Sequence, residues 1–266
     1  MKQNMCQVIL AVGSFIAFGL VNPAFATHDS PPWNQADAYW GAEEMAKSRE
    51  AVQAANGAMP NLFVMADRLE TQFSDDQEVT VWDLQGWYGG DIDKLWLKSE
   101  GEWRLGDDLD DAEFQALWSH AVAPFWDVQA GLRVDTEPDT LTHAVLGLQG
   151  LAPYWFEIDA AAFLSEEGDL TARIEIEYEL LLTQRLILQP RAELAFAAQD
   201  IPDLGKGSGF TNLNLGARLR YEIVREFAPY VGVEWQKALG ETSNLTKASG
   251  GDDDNSVFVI GIRAWF

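Results

Sequence analysis

The chain ends in Ser256-Val257-Phe258-Val259-Ile260-Gly261-Ile262-Arg263-Ala264-Trp265-Phe266. Phe258, Ile260, Ile262, Ala264 and Phe266 fall on one side of an extended strand, and Gly261, Arg263 and Trp265 on the other. A period of two with one greasy and one mixed face is what a strand needs when lipid lies on one side and a polar lumen on the other. The stretch therefore points to a transmembrane antiparallel β-barrel of the bacterial outer membrane. Its terminal aromatic, Phe266, reads as the assembly signal recognised by the barrel-insertion machinery.

The other end of the chain fits that destination. Lys2 supplies a positive n-region, Val8 to Val21 an apolar h-region and Ala24-Phe25-Ala26 a cleavage site, so residues 1–26 read as a signal peptide. The alternative, an uncleaved anchor, is disfavoured because the apolar run stops at Asn22-Pro23, short of the ~20 residues that span a bilayer. Cys6, the only cysteine, leaves with this segment, which excludes disulfide and thiolate chemistry from the mature chain. Loss of Lys2 takes the formal charge from -24 to -25, and so acidic a chain repels nucleic acid and attracts cations.

Residues 27–60 read as an N-terminal periplasmic extension. It has an extended leader, His28 to Pro32, and a helix from Gln35 to Ala55 that stops at Asn56-Gly57. Such a helix serves either as a solvated extension or as a plug in the barrel mouth. From residue 61 to 266 the text alternates. Twelve strands are expected, at 62–73, 78–88, 93–100, 113–121, 126–135, 143–150, 155–164, 171–182, 186–197, 211–222, 227–237 and 256–266, an even number as single-chain bacterial barrels require. The gaps 89–92, 122–125, 151–154, 183–185 and 223–226 are short, whereas 101–112, 136–142, 165–170, 198–210 and 238–255 are longer; only 74–77 breaks the rule. Short periplasmic turns and long external loops are expected of such a barrel, with both termini in the periplasm. A soluble β-sandwich predicts neither this alternation nor Phe266.

The faces that do not meet lipid are crowded with charge. Arg173, Glu175, Glu177 and Glu179 share one side of strand eight, Gln189, Arg191 and Glu193 one side of strand nine, and Asn214, Arg218, Arg220 and Glu222 one side of strand ten. A narrow barrel with opposed charges inside is expected to fill its lumen with a ladder of Arg-carboxylate pairs, either structural or lining a conducting path. Trp82, Trp87, Trp96, Trp103, Trp118, Trp126, Trp155, Trp235 and Trp265 are expected as girdles at the lipid-water boundary, rather than as a ligand box.

Several stretches carry a specific likeness. Gly86-Trp87-Tyr88-Gly89-Gly90-Asp91 with its continuation to Glu102, Ala123-Pro124-Phe125-Trp126-Asp127 to Arg133, Leu148 to Glu157, Leu181 to Arg191, Gly216 to Ile223, Phe227 to Trp235 and Arg263-Ala264-Trp265-Phe266 resemble the copper resistance protein B family, in family order and over nearly all of 61–266. The resemblance implies an outer membrane protein of copper homeostasis and resistance, working beside a periplasmic multicopper oxidase and soluble copper carriers. Many members carry a tail dense in Met and His. Residues 27–60 depart from that pattern, with only His28, Met45 and Met59, so copper buffering by the tail lacks support here.

Candidate copper ligands are few. Thioether and imidazole suit copper, and the mature chain offers Met45, Met59, Met65, His28, His120 and His143. Met59 and Met65 flank the entry to the first strand, where Met45 or His28 can complete a Cu(I) site. The plain alternative has Met45 packed on its helix and Met65 facing lipid. His143 is expected on the lumen face near the external mouth, as a Cu(II) ligand or only a hydrogen-bonding group, and His120 in the periplasmic interface. Asp252-Asp253-Asp254, and Asp107, Asp108, Asp110 and Asp111, are loop carboxylates able to hold hard cations weakly or to bridge to lipopolysaccharide. A hydrolase barrel needs Ser and His on its outer surface with a group orienting the His. No such motif surrounds Ser119 or Ser165, so an enzyme is not expected. Two readings follow: a barrel that binds or passes copper between periplasm and exterior, or a structural or general-diffusion barrel with little metal role.

Overall fold

The computed structural model describes residues 34–56, 59–74, 78–104, 109–137 and 140–266. The signal-peptide reading, His28, Asp107 and Asp108 lie outside the described residues. The chain divides into two compact units at the Asn56–Gly57 boundary. In the first, α1 (Asp37–Trp40) and α2 (Ala42–Asn56) are separated at Gly41, whose φ of 86° breaks the single helix expected over 35–55. Arg49 ties the two together by holding Asp37 at 2.7 and 3.2 Å.

The second unit is built from strands β1 (Asn61–Phe73), β2 (Glu78–Gly89), β3 (Asp93–Arg104), β4 (Leu109–Ala123), β5 (Trp126–Glu137), β6 (Leu141–Ala152), β7 (Phe156–Ser165), β8 (Leu170–Glu177), β9 (Leu180–Leu181), β10 (Leu186–Ala197), β11 (Gly209–Tyr221), β12 (Phe227–Ala238) and β13 (Asp254–Trp265). Neighbours pair antiparallel in chain order, and β13 returns to β1 with Met65 opposite Trp265 and Phe73 opposite Phe258. β8 and β9 both lie along β10, so the thirteen segments close as a twelve-stranded barrel. The expected strand 171–182 is thus interrupted. Pro190 on β10 stands opposite the break and has no N–H to donate, while its carbonyl still accepts from Tyr178 N at 3.2 Å.

Polarity runs inside out. Leu132, Leu146, Val233 and Ile260 are exposed on the outer wall, whereas Glu70, Arg191, Arg218 and Glu234 are buried within. That arrangement is stable where the outer wall meets hydrocarbon and every backbone group is paired around a closed sheet. Among the described residues no helix is long and apolar enough to cross a membrane. A bulge in β1 between Ala66 and Arg68 turns both Asp67 and Arg68 inward, so this strand delivers two adjacent charged side chains to the lumen.

The loop lengths correct the expected alternation. At the end holding the termini the connections are short, as expected. At the other end only 198–208 and 239–253 are long. Most of the expected loop 101–112 is ladder, with Trp82 opposite Gly101 and Glu102 opposite Asp111, and β5 runs on to Glu137. These polar stretches look like loops because a sheet that projects beyond the lipid has water on its outer face and loses its alternation. The two long loops lock together: Gly207 N donates to Thr242 Oγ1 at 2.9 Å, and a Cβ at Gly207 would lie 2.4 Å from Glu241 of α3 (Gly240–Ala248).

Candidate functional site

The lumen is where the chemistry-bearing residues converge. Across its middle runs a belt of arginine-carboxylate pairs. Arg218 holds Glu70 at 2.9 and 2.7 Å and Glu234 at 2.7 Å, while Tyr230 and Gln72 donate to the same Glu70 at 2.9 and 3.0 Å. Arg191 bonds Glu175 and Glu193 and approaches Glu177 at 3.6 Å. Arg68 meets Asp83 at 3.2 Å, and Arg173 bridges Glu100 at 2.9 Å and Glu113 at 3.2 Å. Toward the terminal end, Arg220 bonds Glu179 at 2.6 Å and comes within 3.9 Å of Glu222, and Arg263 hydrogen-bonds Glu179 and makes an ion-pair contact with Asp67, each at 2.7 Å.

The expected ladder residues Arg173, Glu175, Glu177, Arg191, Glu193, Arg218, Arg220 and Glu222 all belong to this system. Their partners from other strands, Glu70, Asp83, Glu100, Glu113 and Glu234, did not emerge from reading one strand at a time. For Asp83, Glu100, Glu113 and Glu234 the available signal was parity, since each lies on the face opposite its strand's exposed apolar residues, whereas Glu70 shares the even parity of exposed Leu62 and Val64 and is turned inward only by the β1 bulge.

The belt divides the lumen into compartments. On the terminal side lies a chamber of about 450 Å³, followed by a mouth pocket of about 270 Å³; Met65 and Arg263 line both. On the loop side is a pocket of about 160 Å³, and Glu100 and Arg173 line the boundary from either side. Trp87 and Trp96 line the chamber, and this corrects their assignment to the girdle. Trp87 shares parity with Asp83 and Gln85, and Trp96 with Lys94 and Lys98, so both indoles point inward. Trp96 Nε1 donates to Gln85 at 3.2 Å and its ring packs on the buried cluster of Leu117, Val145 and Phe163. Trp103, Trp118 and Trp155 are exposed, as girdle residues are.

The candidate copper ligands are dispersed. Met65 faces the lumen, not lipid, and its sulfur accepts from Arg263 Nη2 at 3.5 Å. Met59 is exposed just before β1, and Met45 lies on α2 in the other unit. His143 sits near the loop end, buried, with Nε2 3.0 Å from Asp135 and Nδ1 without a partner among the described residues. Its cross-strand neighbours Arg133 and Ser165 place it well away from Met65, which pairs with Trp265 at the terminal end. His120 binds Asp93 at 2.8 Å at that same end. Among the described residues no three His, Cys, Asp or Glu side chains gather as a metal site.

The expected acidic run Asp252-Asp253-Asp254 is partly committed within the protein. Lys247 at 2.8 Å, Ser243 at 2.8 Å and Lys237 at 3.2 Å converge on the Asp253 carboxylate and hold it below the usual carboxylate range. Lys206, carried into the loop-end mouth by 198–208, is lowered by burial.

A closed sheet, polar inside and apolar outside, defines an outer membrane β-barrel. Comparison with solved structures agrees on the fold: the NanC porin superposes with a TM-score of 0.51 at 12% identity, covering 77% of this chain and 99% of the porin. The family model described as Copper resistance protein B precursor (CopB) matches residues 61–266, the whole barrel. The chain is 48% identical to Copper resistance protein B of Escherichia coli over 77% of this chain and 70% of that protein. It is 43% identical to the Copper resistance protein B homolog of Pseudomonas syringae pv. tomato over 92% and 81%. The chain belongs to the copper resistance protein B family and resides in the outer membrane.

Proposed function

We propose that this barrel serves copper resistance by binding copper ions or passing them between the periplasm and the exterior. The observation that carries the reading is the family match, which spans the full barrel rather than a fragment. The lumen supports it electrostatically, since its terminal chamber is lined by more carboxylates than cations and so concentrates cationic solutes. In this reading the termini and short turns face the periplasm, where a multicopper oxidase and soluble copper carriers are the partners, and the long loops meet lipopolysaccharide. The protein acts as a conduit or reservoir, not as an enzyme. Deleting the gene is expected to lower copper tolerance and change cell-associated copper; a strain unaltered in both overturns the reading.

A second reading has its own observation. The belt fills the mid-lumen with paired charges, which favours a structural or general-diffusion barrel with little specific metal role. Conductance of the purified barrel in a planar bilayer separates the two: cation-selective current or copper uptake supports the first, and an unselective or silent barrel with normal copper tolerance of the deletion strain supports the second.

A further inference from the structure

We propose that the terminal-side chamber is a binding site for a small organic cation that carries an apolar or aromatic group. The proposal is independent of the copper reading. The chamber's volume of about 450 Å³ lies within the about 300–1,000 Å³ of small-molecule sites. Its walls differ in kind.

One wall is aromatic and apolar. Trp87 and Trp96 stand with ring centroids 6.3 Å apart, and Trp96 is backed by Leu117, Val145 and Phe163. The hydrogen bond to Gln85 fixes the Trp96 indole. Lys94 Nζ already sits 5.7 Å from the Trp87 centroid, so this wall accommodates positive charge over an electron-rich face.

The other wall is acidic in excess. Eight carboxylates line the chamber against four cationic side chains. Each of those four is committed: Lys94 to Asp127 at 2.7 Å, Lys98 to Asp159, Arg173 to Glu100 at 2.9 Å, and Arg263 to Asp67 at 2.7 Å. Of the surplus carboxylates, Asp83 is met by Arg68, and Glu175 and Glu177 by Arg191, from the belt, which leaves Glu157. The Glu157 carboxylate makes no ion pair or hydrogen bond among the described residues, and the residue stands directly opposite Glu177 in the β7–β8 ladder. Like charges across a ladder repel, and a guest ammonium placed between them removes that repulsion. An apolar ring on the guest then reaches the tryptophan wall, displacing water from a surface that gains little by being wet.

The test uses the full barrel folded in detergent and isothermal titration calorimetry with three probes of one shape: benzylammonium, benzyl alcohol and benzoate. Benzylammonium is expected to bind saturably with one-to-one stoichiometry, benzyl alcohol more weakly and benzoate not at all. Glu157→Gln preserves side-chain size and breaks no pair, so the heat-modifiable gel mobility of the barrel stays that of the parent, while benzylammonium binding weakens by about tenfold and benzyl alcohol binding holds. Trp96→Leu weakens both. The proposal is overturned if benzoate binds as tightly as benzylammonium, if benzylammonium gives only non-saturating heat, or if folded Glu157→Gln keeps the parent's affinity.

Discussion

Arg218 on β11 holds Glu70 on β1 with two hydrogen bonds, 2.9 and 2.7 Å long, between residues 148 positions apart in the chain. The pair is buried at the middle of the lumen, Glu234 shares the same guanidinium, and Tyr230 completes the hydrogen bonding of Glu70. A bond of this kind ties together strands that are not neighbours, since β12 and β13 lie between β11 and β1. Gly261 makes room for it: a Cβ there would lie 2.6 Å from the Tyr230 ring.

Breaking the pair on one side should be costly. Arg218→Leu leaves Glu70 and Glu234 buried and uncompensated, and the expected loss is about 3–5 kcal/mol, read from urea unfolding of the barrel in detergent. Replacing Glu70 and Glu234 by Leu in the same chain should recover most of it, because an apolar cluster has no charge to desolvate. A single variant as stable as the parent would show that the belt contributes nothing to stability.

The orientation of the barrel is testable by labelling. Cysteines at Asp203 and Gly250, both exposed in the long loops, should react with an impermeant maleimide on intact cells, and one at Ala51 should not. Labelling at Ala51 alone would invert the barrel.

The terminal residue is bonded into the seam. Phe266 N donates to Val64 O at 2.8 Å and Val64 N to Phe266 O at 3.0 Å, while the ring remains on the outside. Deleting Phe266 removes both bonds and the expected assembly signal. The truncated chain should accumulate in the periplasm or be degraded, with little heat-modifiable barrel in outer membrane fractions. Wild-type levels of assembled barrel would dismiss that signal.

Copper affinity can be assigned by substitution. Changing Met45, Met59 and Met65 to Leu conserves volume, and each site should cost under about 1.5 kcal/mol. Cu(I) affinity, titrated against a competing chelator, should nevertheless fall, because residues 27–266 contain no thiol and their soft donors are thioethers. An unchanged affinity would transfer copper handling to His143 and the lumen carboxylates.

Much of this protein is decided by local pattern. The period of two in Ser256–Phe266 and its repeats set the barrel, its strand count and the inward direction of Arg191 and Arg218, because a strand's side chains alternate whatever the fold around them. The family was legible for the same reason, in contiguous motifs such as Ala123-Pro124-Phe125-Trp126. Pairing was not legible. That Arg218 chooses Glu70, that Asp67 and Arg68 both turn inward at a bulge, and that Pro190 splits its partner strand depend on register between segments far apart in the chain. So does the chamber. Trp87 and Trp96 sit in stretches whose composition suggests a lipid boundary, yet closure of the sheet turns their faces toward the lumen and sets Glu157 beside Glu177. Alternation is a property of one strand; a cavity is a property of the closed sheet, and only tertiary structure decides which inward side chains meet and what space they leave.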